Sequence, residues 1–269
     1  TALFIAWRYF FSRKSTQAIH VIAIVAVTAI AIVTMVMVVA LSVFNGFERF
    51  TTDQFATLCP TTEIRSDAGQ DYSASAVTLP PGVTAAPVLT TQALAKCGDN
   101  AMPVTLIGID STYQQVVPIA DHLVGGDFDI GDEDYPSAVL GVGVAAQLGA
   151  GVGYQSPLTI VLPKRLGRMS TILPQRSFVT RDLYVGGVFQ VDDEEADEQA
   201  VYVPIALLRE LLMYDSDVVT YLATDHIDDR ELTSALSPGY KVLDIYEQNP
   251  QAYRVLEIEK WITFLLLVF

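Results

Sequence analysis

The sequence predicts a membrane protein with one long N-terminal transmembrane helix, an extracytoplasmic α+β domain and the start of a second transmembrane helix. Three observations carry this reading. Ala18 to Phe44 passes without an acid, Lys, Arg, Pro or Gly, and His20 is its only ionisable side chain. Residues 61–260 mix β-branched runs with short helical patterns, joined by Gly, Pro and Asp turns. Charge is divided as well. Arg8, Arg13 and Lys14 are the only charges before Asn45, whereas residues 45–258 hold 12 bases against 30 acids, a net of −18.

Residues 1–17 form a cytoplasmic interfacial segment rich in aromatic rings, with Trp7, Arg8, Arg13 and Lys14 as membrane-entry anchors. Residues 18–44 form the first span. At about 1.5 Å per residue it reaches roughly 40 Å, against about 30 Å of bilayer hydrocarbon. It is too long for a signal-peptide core and lacks a small-residue cleavage pair at its exit. The basic flank places residues 1–17 in the cytoplasm and residues 45–258 outside it. Apolar positions 44, 47, 50 and 55 extend the helical period to about Leu58, where Pro60 stops it.

Within the exported part, strands are predicted at 62–65, 85–89, 93–96, 104–109, 138–140, 158–162, 178–190, 200–203, 218–223 and 241–245. Helices are predicted at 143–148, 204–213 and 228–236, the second with Pro at its start. An insertion over about 111–200 leaves room for a second lobe. From Glu247 the pattern turns helical, and Lys260 and Trp261 form the anchor pair of a second span. Residues 259–269 cover only its beginning, so that helix, and others after it, are expected to continue past Phe269.

Composition narrows the chemistry. A net of −18 repels nucleic acid. No nucleophile elbow, H-E-x-x-H or P-loop occurs, so the chain is expected to be no enzyme and to hold no metal or cofactor of its own. The run from Gly141 to Ala146 matches G-x-G-x-x-A after a strand, but the acid expected about twenty residues later is missing. A tight strand-to-helix turn explains it. The acidic run 192–198 lies between two strands and predicts a solvated hairpin tip. A basic partner surface or a calcium ion are its functional readings, although neither this run nor 127–134 has EF-hand spacing. His20, His122 and His226 are each isolated. Cys59 and Cys97, both exported, allow one disulfide; the alternative is two separate buried thiols.

On the first span, Met37, Leu41, Phe44 and Phe47 share a broad face near the outer leaflet. Lipid contact accounts for it. The functional alternative is a soft surface that grips a partner helix or an acyl chain.

Several segments together resemble one family. They are Phe4-Ile-Ala-Trp-Arg-Tyr9 with the basic patch, Leu41-Ser-Val-Phe-Asn-Gly-Phe-Glu48 at the span's exit, and 138–149. Val201-Tyr-Val-Pro-Ile205 and Leu256-Glu-Ile-Glu-Lys-Trp261 complete the set. The chain resembles the FtsX/MacB-like ABC transporter permeases, and among them the lipoprotein-releasing (Lol) branch. The resemblance implies a multi-pass protein of the bacterial inner membrane with a MacB-like periplasmic core domain. It also implies a second permease copy or paralogue and two cytoplasmic ATPase subunits that bind ATP and Mg. A lipoprotein substrate, a periplasmic carrier and membrane lipid would be the other partners. ATP-driven motion would pass through the long helices to the outer domain and free lipoproteins from the membrane. Efflux, or control of a cell-wall hydrolase, is the alternative within the family. A membrane-anchored extracytoplasmic receptor is the alternative outside it.

Overall fold

A computed structural model describes residues 4, 17–56, 59–131, 135–153, 157–165, 177–191, 193–225, 232–233, 236, 238–248, 250, 254, 258 and 260–265. The chain forms two compact units, residues 1–50 with 251–269, and Thr51–Pro250.

Helix α1 spans Gln17–Ala56, 40 residues, with no proline to interrupt it. Thr34 returns its hydroxyl proton to the Ile30 carbonyl at 2.8 Å, so the side chain asks nothing of an apolar surrounding. No residue from Val21 to Phe47 is buried. A core helix of a soluble domain would hide one face. Exposed Val and Ile around most of its girth make the surface a bilayer accepts.

The second unit runs β1 (Thr62–Ser66), β2 (Tyr72–Ser73), β3 (Ala85–Cys97), β4 (Asn100–Ile109), α2 (Tyr113–Val116), β5 (Leu123–Gly126), β6 (Ser137–Gly141) and α3 (Val142–Leu148). It continues with β7 (Leu158–Pro163), β8 (Phe178–Phe189), α4 (Glu194–Gln199), β9 (Ala200–Pro204), α5 (Ile205–Leu212), β10 (Val218–Val219), β11 (Tyr221–Thr224), β12 (Tyr240–Asp244) and α6 (Ile245–Gln248). The large sheet is ordered β12-β1-β11-β3-β4-β9-β6-β8-β5, and β7 bridges β3 to β8. That bridge closes β3, β4, β9, β6, β8 and β7 into a ring. Closure satisfies the edges of these strands. The flap β11-β1-β12 extends from the N-terminal half of β3.

Strand alternation sorts the side chains onto two faces. Val104, Leu106, Leu140, Ile160, Leu183 and Val203 belong to the larger core, which α3 and α5 complete. Val88, Ile109, Val139, Phe189 and Tyr202 face the other way, under Tyr113, Val117 and Ile119. Helix α5 buries Ile205, Leu207, Leu208, Leu211 and Leu212, the stripe that a 3.6-residue period puts on one side. Each such leucine is worth about 1.5–3 kcal/mol of burial. The β3–β4 hairpin turns through Gly98 and Asp99, and Gly98 has φ +58, a region an L side chain resists.

The predicted strands at 85–89 and 93–96 are one strand, because Thr90, Thr91 and Gln92 keep their pairing with β4. The predicted strand at 218–223 is instead broken at Thr220, whose hydroxyl donates to Asp71 and accepts from the Thr90 amide. Segment 111–200 supplies β5 to β8, hydrogen-bonded into the same sheet. Most of the predicted helix 228–236 lies outside the described residues.

Candidate functional site

On α1, Met37, Ala40, Leu41 and Phe44 are half-buried while Met35, Val38, Val39 and Val43 stay exposed. Spacings of three and four residues put the covered positions on one face. Phe47 departs from the group at 51% exposure. Of the anchors, Lys260 is half-buried, and Trp261 is exposed with its ring edge-on to Phe264 at 6.1 Å. Trp7, Arg8, Arg13 and Lys14 lie outside the described residues.

In the domain, the strand that leads in and the strand that leads out are neighbours. β1 pairs antiparallel with β12 from Thr62↔Asp244 to Ser66↔Tyr240. Gln248, just past β12, donates its side-chain amide to the carbonyls of Pro60 at 3.0 Å and Leu243 at 3.3 Å. Tyr72 adds a hydroxyl to the Ile64 carbonyl at 2.6 Å and a ring contact to Tyr240 at 5.1 Å. A force along either connection therefore meets one stitched pair of strands.

Beneath that pair sits a charged group. Glu63 is buried, and Arg65 donates to its carboxylate at 2.6 Å while lying over the Tyr221 ring at 4.8 Å. Burial pushes the Glu63 carboxyl above its ordinary value, against the pull of Arg65. Burial is the largest influence on Arg65 and works against its charge, but Glu63 together with the Tyr221 and Tyr72 phenols leaves the guanidinium above its ordinary value. Burial likewise raises the phenols of Tyr113, Tyr202 and Tyr221, which stay neutral.

The sequence pairing of Cys59 with Cys97 is not formed, and both side chains are thiols. Cys97 ends β3 inside the larger core. Cys59 lies within electrostatic reach of Tyr113, Tyr202 and Tyr221, members of the core on the opposite face.

The acidic run after Asp192 is no hairpin tip. It forms helix α4, and β6 lies between β8 and β9, so those strands do not pair. Asp193 caps the helix by accepting from the Ala196 amide at 3.1 Å. Asp197 is buried and accepts from the Val191 amide at 3.0 Å. The glycines of the Gly141-x-Gly143 turn make room for this helix. A Cβ on Gly141 would meet the Asp197 carbonyl at 2.3 Å, and one on Gly143 would meet it at 3.0 Å. The space a pyrophosphate would need is filled by backbone. Asp127 and Asp129 use their carbonyls in the same way, against Gly187 and Gly186. Among the described residues, no group of three His, Cys, Asp or Glu side chains converges where a metal could sit.

The chain is 27% identical over 241 residues to the lipoprotein-releasing system transmembrane protein LolC of Neisseria meningitidis serogroup B, covering 84% of this chain and 56% of that protein. The chain thus spans little more than half the length of this relative. Among solved structures it is similar to the extracellular domain of the noncanonic ABC-type transporter YknZ from Gram-positive bacteria (14% identity, 68% of this chain and 100% of that one, TM-score 0.44). It is also similar to the periplasmic region of MacB from Actinobacillus actinomycetemcomitans (12% identity, 73% and 94%, TM-score 0.44). An apolar helix of membrane-crossing length joined to an α+β domain is the layout read from the sequence. Residues 23–238 match the MacB-like periplasmic core domain, and the chain belongs to that family.

Proposed function

We propose that this chain is the permease subunit of an ABC transporter and that its work is mechanical. It would carry ATP-driven motion from the cytoplasm to its periplasmic domain and release lipoproteins from the inner membrane. The observation that carries this reading is the span of the family match. It begins inside α1 and runs through the domain to residue 238, so anchor and body belong to one pattern. The relationship to LolC supports lipoprotein release as the output. Helix α1 at 40 residues is about 60 Å long, twice a bilayer's hydrocarbon, and an unbroken helix transmits displacement along its axis. The β1–β12 pair is suited to receiving it.

In this reading the chain holds no nucleotide. ATP and Mg belong to a cytoplasmic ATPase dimer, and a second permease copy or paralogue completes the transporter as a multi-pass assembly. The Met37, Leu41 and Phe44 face meets the acyl chains of the lipoprotein, since flexible thioether and aromatic surfaces adapt to irregular apolar ligands. A periplasmic carrier then takes the product.

The test is photo-crosslinking in the assembled, ATP-hydrolysing transporter, with a photoreactive residue at position 37, 41 or 44 in turn. Labelling of lipoprotein acyl chains is expected, and probes at the exposed positions 35 and 39 should label bulk lipid instead. An active assembly that labels no lipoprotein at 37, 41 and 44 overturns lipoprotein release. Failure of the full-length protein to co-purify with an ATPase overturns the permease reading itself.

A further inference from the structure

The closed ring of strands and the flap β11-β1-β12 are joined by a narrow seam. In the sheet the flap meets the ring only where β11 pairs with β3, over the short register Tyr221↔Val88 to Thr224↔Ala85. Within the ring, β3 and β4 keep a far longer register, Leu89↔Gly108 to Cys97↔Asn100. Both chain connections end on the flap, because β1 follows α1 and β12 leads on towards residues 251–269. Apolar packing closes it. Ile64 and Leu222 enter the larger core, and Tyr221 and Ala223 the other one.

The middle strand of the flap carries a carboxylate into that packing. Glu63 is buried between Ala223 of β11 and Leu243 of β12. Its ion-pair partner among the described residues, Arg65, belongs to the same strand, so the ion pair itself crosses no strand boundary. Arg65 reaches β11 through the face of the Tyr221 ring.

The other groups within electrostatic reach of Glu63 are phenols: Tyr221 from β11, Tyr113 from α2 and Tyr72 from β2. Cys59 reaches Tyr113 and Tyr221 from the entry side. On β12, Lys241 lies opposite Arg65 and is exposed to solvent. Burial holds the three phenols neutral, which leaves Glu63 as the acid of this cluster that changes charge between pH 4 and 8. Ionised, it is a charge that opening would hydrate; protonated, it carries little such cost. Beside the strand pair, Gln248 Oε1 is also buried without a hydrogen-bond partner among the described residues. Opening would hydrate that atom too.

We propose that the flap is a proton-controlled latch, shut on the ring while Glu63 is protonated and released to swing at the β3–β11 seam once Glu63 is ionised. Acid locks the strand pair on which both connections end, and rising pH frees it. The use of this latch in transport rests on the permease reading, whereas the opening itself does not.

Hydrogen exchange on the full chain in lipid nanodiscs tests it between pH 5 and pH 8, with each rate normalised to that of the unstructured peptide at the same pH. Amides of β1 and β12 should be less protected than those of β4 and β9 by about tenfold or more at pH 8, the mark of a segment that opens by itself. Their protection should fall about threefold or more from pH 5 to pH 8, and in Glu63→Gln it should stay level. Equal protection in flap and ring, a flap indifferent to pH in the wild type, or a fall that persists in folded Glu63→Gln each overturns the proposal. The first two comparisons use wild-type protein and stand even if the variant misfolds. Failure to co-purify with an ATPase would strike the permease reading and leave these exchange results untouched.

Discussion

The side-chain amide of Gln248 donates to the Pro60 carbonyl at 3.0 Å across 188 positions of sequence, joining the point where the chain enters the domain to the point where it leaves. The same nitrogen also reaches Leu243. Gln248→Leu removes both bonds and leaves the buried Pro60 carbonyl with no side-chain donor, a cost of about 1–3 kcal/mol. Gln248→Glu costs more, since a carboxylate would face two carbonyl oxygens. Chemical unfolding of the detergent-solubilised chain should show a lower midpoint for both, Glu below Leu. If neither variant moves the midpoint, the stitch holds nothing.

Gly141 is decided by space rather than by a cofactor. Its Cβ would lie 2.3 Å from the Asp197 carbonyl and 2.8 Å from that of Ala196, both backbone atoms that cannot swing away. Gly141→Ala should therefore cost about 3 kcal/mol, the upper end of typical overpacking. Gly143→Ala, with its nearest atoms at 3.0 Å and one of them a movable glutamate side chain, should cost about 1 kcal/mol. Thermal unfolding of the two variants gives the order. A reversed order would mean that α4 does not rest on this turn.

These examples show what a single sequence can and cannot carry. Periodicity and β-branching located α1 and nearly every strand, because those signals are local and repeat within the element. The break at Thr220 was illegible, since it depends on Asp71 and Thr90, both far away in the chain. The run 192–198 misled for a related reason. Charge density suggests solvent, yet Asp197 is buried by the Val191 amide and by a turn some fifty residues earlier. Gln248 and Glu63 carried no motif at all; their roles arise only when β1 and β12 lie side by side. The stripe at Met37, Leu41 and Phe44 was visible through helical spacing, but the sequence could not separate Phe47 from it.

Cys59 and Cys97 should each take up one alkyl group when the purified protein is unfolded without reductant, because no disulfide joins them. In the folded protein Cys59, half-buried, should react before Cys97, which is 6% exposed in the larger core. Intact-mass analysis after iodoacetamide treatment counts the adducts, and a time course gives the order. A mass with no adducts after unfolding would mean that the pair is bonded after all.

The last prediction concerns pH and follows from which partner of the Glu63–Arg65 pair bears the burial. Glu63 has a side-chain exposure of 6% and Arg65 one of 39%, so the carboxylate loses more hydration than the guanidinium does. The Glu63 carboxyl consequently titrates above its ordinary value of 4.5 in the folded domain. A raised folded value means that protonation favours the fold. The stabilising contribution is complete below pH 4.5 and fades as pH climbs through the raised value. Glu63→Gln cannot titrate, so wild type should lose stability relative to this variant as pH rises from 4 to 8. Arg65→Met removes the cation that moderates the cost. It should destabilise the domain at pH 7 by about 2 kcal/mol, less than for a fully buried pair because Arg65 is partly hydrated. Acidification should recover most of that loss. Chemical unfolding of the three proteins at half-unit pH steps makes the comparison, and an unchanging gap between wild type and Glu63→Gln would show that the carboxyl is not shifted upward.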